Sequence, residues 1–99
     1  MTENTDHTMR LMVQEGQLLA VFNSSHRIMK AEALLKGSGH EVLLLPAPRQ
    51  LQTDCGLALR FDAGLLPGIM AALDRAELLP AFVCRMEQGV YTTVWGERT

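Results

Sequence analysis

Two strand-like stretches separated by too little chain for a helix set the main constraint on this fold. Glu41 to Leu45 is of strand length, with Val42 to Leu45 apolar, and Leu57-Ala58-Leu59-Arg60-Phe61 is a second strand-like stretch. Between them runs a nine-residue polar connection, Pro46-Ala47-Pro48-Arg49-Gln50-Leu51-Gln52-Thr53-Asp54, and then Cys55-Gly56. Parallel neighbours need a crossover of about a dozen residues or more, normally a helix. These two stretches are therefore predicted to be antiparallel neighbours.

The rest of the chain can be read around that pair. Gln17 to Phe22 is a first strand, and Asn23-Ser24-Ser25 supplies helix N-cap chemistry. From Arg27 onward Ile28, Ala31, Leu34 and Leu35 fall at helical spacing, with Arg27, Lys30 and Lys36 on the other side and Gly37 as the expected C-cap. Pro46 is expected to end the second strand. A second helix is predicted from Leu65 to Leu79, with Leu66, Ile69, Met70, Leu73 and Ala76 as its buried stripe, Pro67 in its first turn and Pro80 as its stop. Ala81 to Met86 is a further strand. Gln88-Gly89 is a turn, and Val90 to Trp95 is an optional last strand. The order β-α-β-β-α-β predicts an α+β, ferredoxin-like split βαβ fold: one antiparallel sheet with both helices on one face. A small doubly wound α/β fold is the alternative. Residues 1–14 read as a loose tail, from which Leu11-Met12-Val13 is placed to add an edge contact, and residues 15–99 read as a single domain.

In that topology one end of the sheet gathers the residues with chemistry. The end of the first strand, the start of the first helix and the Pro46–Asp54 connection share an edge. Ser24, Ser25, His26, Arg49, Cys55 and Gly56 are all expected there. A helix N-terminus presents N–H groups and about half a positive charge, which favours anions. A cysteine at the mouth of a loop, beside a flexible glycine, is one a partner can reach, so Cys55 reads as a nucleophile or persulfide carrier. It reads equally as a small buried residue at a strand start, because free cysteine is among the most buried residue types. Cys84, within Ala81-Phe82-Val83-Cys84, reads as core, and no Cys55–Cys84 disulfide is expected. The serines are explained by capping alone. His26, in the first turn of the helix, reads as a proton donor or acceptor, or is simply exposed. Arg49 is either a contact for an anion or partner, or a solvated arginine; Arg60 reads as solvated on the open sheet face.

Composition removes several function classes. Net charge is −2, with one Trp and one Tyr, so there is neither a basic field nor a stacking surface for nucleic acid. Met1 to Thr8 is polar with no apolar leader, and no apolar run approaches the ~20 residues that cross a bilayer. The expected location is the cytoplasm, where cysteines are free, metal-bound or catalytic rather than bridged. No CxxC is present and the two cysteines stand too far apart for a compact zinc pattern, so neither metal nor cofactor is expected. Paired carboxylates, a Ser-His-Asp set and a phosphate loop are not evident: Gly37-Ser38-Gly39 follows a helix instead of preceding one.

Four stretches carry a family resemblance. They are Phe22-Asn23-Ser24-Ser25-His26, Ala31-Glu32-Ala33-Leu34-Leu35-Lys36, Leu45-Pro46-Ala47-Pro48-Arg49 and Cys55-Gly56-Leu57-Ala58-Leu59-Arg60-Phe61. Together they resemble the selenium/sulfur carrier protein-like family of small bacterial domains, from about Leu18 to Leu79. That family usually has a serine-rich lead into the cysteine and S-T-H at the helix start. This chain has Gln52-Thr53-Asp54 and Ser24-Ser25-His26 in those places. The resemblance implies a carrier rather than a turnover enzyme, with Cys55 as the matching cysteine and docking to a donor such as a cysteine desulfurase and to an acceptor protein. Two alternatives accompany it: a module that senses a small anion or metabolite between the first helix and the Pro46–Cys55 loop, and a homodimer formed through the open sheet face.

Overall fold

The computed structural model describes residues 13–97. In chain order they form β1 (Leu18–Val21), α1 (Ser25–Gly37), β2 (Leu43–Pro46), β3 (Leu57–Phe61), α2 (Leu66–Arg75), β4 (Phe82–Glu87) and β5 (Val90–Gly96), with a short 3₁₀ turn, Ala63–Leu65, leading into α2. The tail read over residues 1–14, with the edge contact from Leu11 and Met12, lies outside the described residues up to residue 12.

The five strands make one antiparallel sheet in the order β2-β3-β1-β4-β5. β2 and β3 are antiparallel neighbours, with Pro46 opposite Leu57 and Leu43 opposite Arg60, as their short connection requires. β1 lies between β3 and β4. With β5 added outside β4, the order differs from the ideal ferredoxin-like sheet. The architecture is α+β, five antiparallel strands with two helices.

Side chains of a strand alternate between faces, and all four residues of β1 are buried. Both faces of the sheet must therefore be covered. On one face Leu18, Ala20, Leu59, Phe61 and Val83 pack with Ile28, Ala31 and Leu35 of α1 and with Ile69, Ala72 and Leu73 of α2. Both helices bury their apolar stripes there. On the other face Leu19, Val21, Ala58, Phe82 and Cys84 join Leu45, Leu51 and Tyr91 in a second buried cluster. The face expected to be open thus carries a small core of its own, to which the β2–β3 connection contributes Leu51. Arg60 alternates with Leu59 and Phe61 and is half-buried rather than solvated.

The helix ends correct the sequence reading. Ser24 caps α1, its Oγ accepting from the Arg27 N–H at 3.2 Å. Gly37 lies inside the last turn. The left-handed residue is Gly39, with φ 86°, and the Gly39 and His40 N–H groups donate to the carbonyls of Lys36 at 3.1 Å and Leu35 at 2.9 Å. That is a Schellman closure. α2 stops at Arg75, well before Pro80, by the same device. Glu77 adopts φ 57°, its N–H donates to Asp74 O at 3.1 Å, and the Leu78 N–H donates to Leu73 O at 2.8 Å. The Arg27 guanidinium donates to the carbonyls of Glu77 and Leu79, each at 3.3 Å. Arg27, on the side of the helix away from the apolar stripe, ties the start of α1 to the end of α2. The early stop leaves Ala76 exposed, and Ala72 takes its place in the stripe. Pro46 is the last residue of β2 rather than the residue that ends it, which an edge strand tolerates.

Candidate functional site at Cys55

The chain returning from the β2–β3 connection is held in a tight turn. The Gly56 N–H donates to Thr53 Oγ1 at 2.8 Å, and Gly56 O accepts from the Ala47 N–H at 2.9 Å, which closes the neck of the loop. Gly56 has φ 71°, a conformation that costs a residue with a Cβ about 1 kcal/mol or more. Farther along the loop the Leu51 N–H donates to Pro48 O at 3.0 Å. The Leu51 side chain is 2% exposed in the second core. The connection read as a polar loop is therefore pinned at its tip and closed at its base.

This turn sets Cys55 half-buried at the end of β1. Its sulfur lies 3.7 Å from Phe22 O and 3.5 Å from Leu57 O. Both are acceptors, so the single S–H serves one at a time. Cys55 packs against the core on the helix-covered face. Cys84 is fully buried in the cluster on the opposite face. The two cysteines are not joined in a disulfide, and the sheet stands between them.

The other expected residues take these places. Ser24 is the N-cap, engaged with Arg27. Ser25 and His26 are exposed in the first turn of α1, and Arg49 is exposed in the loop. Phe22, whose carbonyl faces the Cys55 sulfur, directly precedes Asn23 and the cap. Thr53 and Leu51 are the positions that sequence reading passed over. Their signals were available: Thr53 stands three residues before a glycine, and Leu51 is an isolated apolar residue in a polar run.

A hollow of about 810 Å³ lies at the opposite end of the sheet, lined by Gln17, Lys36, His40, Glu41, Arg60 and Asp62 among others. None of the expected site residues lines it. Among the described residues no group of three His, Cys, Asp or Glu is placed to hold a metal ion, and no helix is long and apolar enough to cross a membrane.

Fold and site together describe a small α+β domain whose helix-covered face ends in a half-buried thiol on a pinned turn. Residues 17–85 match the family described as Putative Se/S carrier protein-like. The chain belongs to that family. No curated protein and no solved structure gave a match.

Proposed function

We propose that this chain carries sulfur or selenium on Cys55, as a persulfide or selenosulfide, between a donor enzyme of the cysteine desulfurase type and an acceptor protein. Membership of the family supports a carrier role. The observation that carries the choice of residue is the placement of the two thiols: Cys84 is enclosed, whereas Cys55 is half-buried on a surface turn.

The chemistry balances without an outside oxidant. The Cys55 sulfur attacks the terminal sulfur of a persulfide on the donor. A new S–S bond forms, the donor's S–S bond breaks, and the donor cysteine leaves as a thiolate. Delivery repeats the exchange, with an acceptor nucleophile attacking the terminal sulfur and Cys55 leaving. Loading replaces S–H by S–S, so Cys55 can no longer donate directly to the carbonyls of Phe22 and Leu57. The loaded atom projects about 2 Å beyond Sγ. Ser25, His26 and Arg49, exposed in the first turn of α1 and in the loop, are the side chains we assign to contact with the cargo or a docking partner. Gly56 supplies the left-handed turn. The setting we assign is the cytoplasm.

Mass spectrometry of the protein as isolated tests this directly. One sulfur or one selenium atom is expected on Cys55, absent from the Cys55→Ser variant, whose fold is retained. A loaded atom found on Cys84, or none after incubation with a desulfurase and cysteine, would count against it. Alkylation separates the competing reading: blocking Cys55 abolishes transfer by a carrier, while a sensor of a small anion keeps its ligand.

A further inference from the structure

Cys55 sits inside a short closed turn, and a side chain closes it. The chain from Leu51 to Gly56 is held at both ends. The Leu51 side chain is buried in the second core, and Gly56 O accepts from the Ala47 N–H at 2.9 Å. Between these ties stand Gln52, Thr53, Asp54 and Cys55. The Gly56 N–H donates to Thr53 Oγ1 at 2.8 Å, a bond that encloses Asp54 and Cys55. The hydroxyl thus takes the part that the carbonyl of the first residue plays in an ordinary β-turn.

This bond has a local consequence and little global one. It lies at the surface, so water serves the Gly56 N–H if the hydroxyl is removed, and no buried group is orphaned. What the bond fixes is direction. With Gly56 at φ 71°, the closed turn aims the Cys55 side chain back at the end of β1. There its sulfur stands 3.7 Å from Phe22 O and 3.5 Å from Leu57 O. An open turn leaves Asp54 and Cys55 free to rotate between the two ties, and the thiol no longer holds one direction.

We infer that Thr53 is a positioning residue for sulfur transfer at Cys55, a role that rests on the carrier reading above. In the exchange Cys55 gives its proton to solvent, and its sulfur bonds to the terminal sulfur of the donor's persulfide. The donor's S–S bond breaks, and the donor cysteine leaves as a thiolate. Attacking, central and leaving sulfur must stand close to one line as this happens. A persulfide held in a docked protein arrives from one direction, so the rate depends on where the Cys55 sulfur points. A small reagent in solution arrives from any open direction and makes no such demand. Fixing the thiol therefore favours transfer between proteins over reaction with small molecules.

Paired substitutions in the full chain test this. Thr53→Val keeps the shape of the side chain and removes the acceptor, whereas Thr53→Ser keeps the acceptor. Mass spectrometry follows two rates at Cys55 in each variant: sulfur loading from a cysteine desulfurase with cysteine, and alkylation by iodoacetamide. In Thr53→Val loading is expected to fall about three- to tenfold, the scale of one hydrogen bond, while alkylation stays level or rises. Thr53→Ser is expected to restore most of the loading. Cys84 is the internal control for the fold as a whole, and its native alkylation is expected to stay at the wild-type level in both variants. Undiminished loading in Thr53→Val, loading that stays equally low in Thr53→Ser, or loading and alkylation that fall together would overturn the inference. So would a rise in Cys84 alkylation, which would make Thr53 a residue of general stability. A wild type that takes up no sulfur would fell the carrier reading and the role of Thr53 with it. A wild type that loads beside an equally competent Thr53→Val would fell that role alone.

Discussion

Cys55 and Cys84 are the same chemical group in two different settings, one on each side of the sheet. Cys84 is set within a strand between Val83 and Arg85, opposite Leu19 on β1, and shares its cluster with Leu51 and Tyr91. Cys55 stands outside any strand, on a turn made by Thr53 and Gly56. Strand interiors near the sheet centre enclose what they carry, whereas a pinned turn holds a side chain in place and still lets it be reached. The identity of the residue does not separate the two thiols; their backbone setting does.

The largest expected effect is in alkylation of the native protein. Cys84 can react only when the sheet opens. At an ordinary stability of about 5–15 kcal/mol that makes it at least about a thousandfold slower than a thiol reached without unfolding. Iodoacetamide labelling read by peptide mass spectrometry is expected to mark Cys55 first and Cys84 only in denaturant. Comparable native rates for the two would erase the distinction.

Leu51 probes whether the turn is held from the other face. Leu51→Ala removes a side chain that is 2% exposed and is expected to cost about 2–5 kcal/mol in denaturant unfolding. It also frees the tip of the connection, so Cys55 labelling should accelerate while Cys84 stays protected below the transition. A loss under about 1 kcal/mol would mean that the loop tip only rests on the sheet. Cys84→Ala is a smaller change, expected to cost about 1 kcal/mol with no effect on sulfur loading at Cys55. Lost loading in that variant would replace the single-thiol scheme with a dithiol one.

How far the sequence reveals these settings follows from the range of the forces involved. The β2–β3 pairing was legible because chain length alone forbids the alternative, and the Leu57–Phe61 boundaries because the alternating pattern begins at a glycine. The end of α2 was not, because Glu77 takes a left-handed conformation that favours glycine and is held there by Arg27, fifty positions away. Gly39 rather than Gly37 closes α1 for a related reason: two glycines bracket the same turn, and propensity does not choose between them. An isolated apolar residue in a polar run hints that Leu51 is buried, whereas the sheet face it reaches is encoded by no local pattern. The placement of Cys55 at the end of β1 followed from topology, whereas the carbonyls of Phe22 and Leu57 that meet its sulfur are details of a folded turn.

The smallest effect tests the enclosed side of the comparison. The Tyr91 hydroxyl is held above its ordinary pKa of 10.0, first by burial and second by the charge on Cys84. Tyr91 lies on β5 opposite Met86, two positions from the Thr93 that faces Cys84. The two side chains are therefore diagonal neighbours, within reach across a strand pair. The chain has one tyrosine, so phenolate absorbance reports this group alone. In the folded protein ionisation should begin at higher pH than in the urea-unfolded chain. The unfolded chain then loses its proton first, so this contribution to stability is complete below pH 10 and declines as pH rises from there through the folded value. Tyr91→Phe should remove that part of the alkaline decline. Cys84→Ala removes the second cause and not the first, so the folded transition should move part of the way back toward 10.0 and stop short of it. A folded protein whose phenolate titrates like the unfolded chain would place the ring in water and open the cluster that encloses Cys84. A transition raised as far in Cys84→Ala as in the wild type would assign the whole effect to burial.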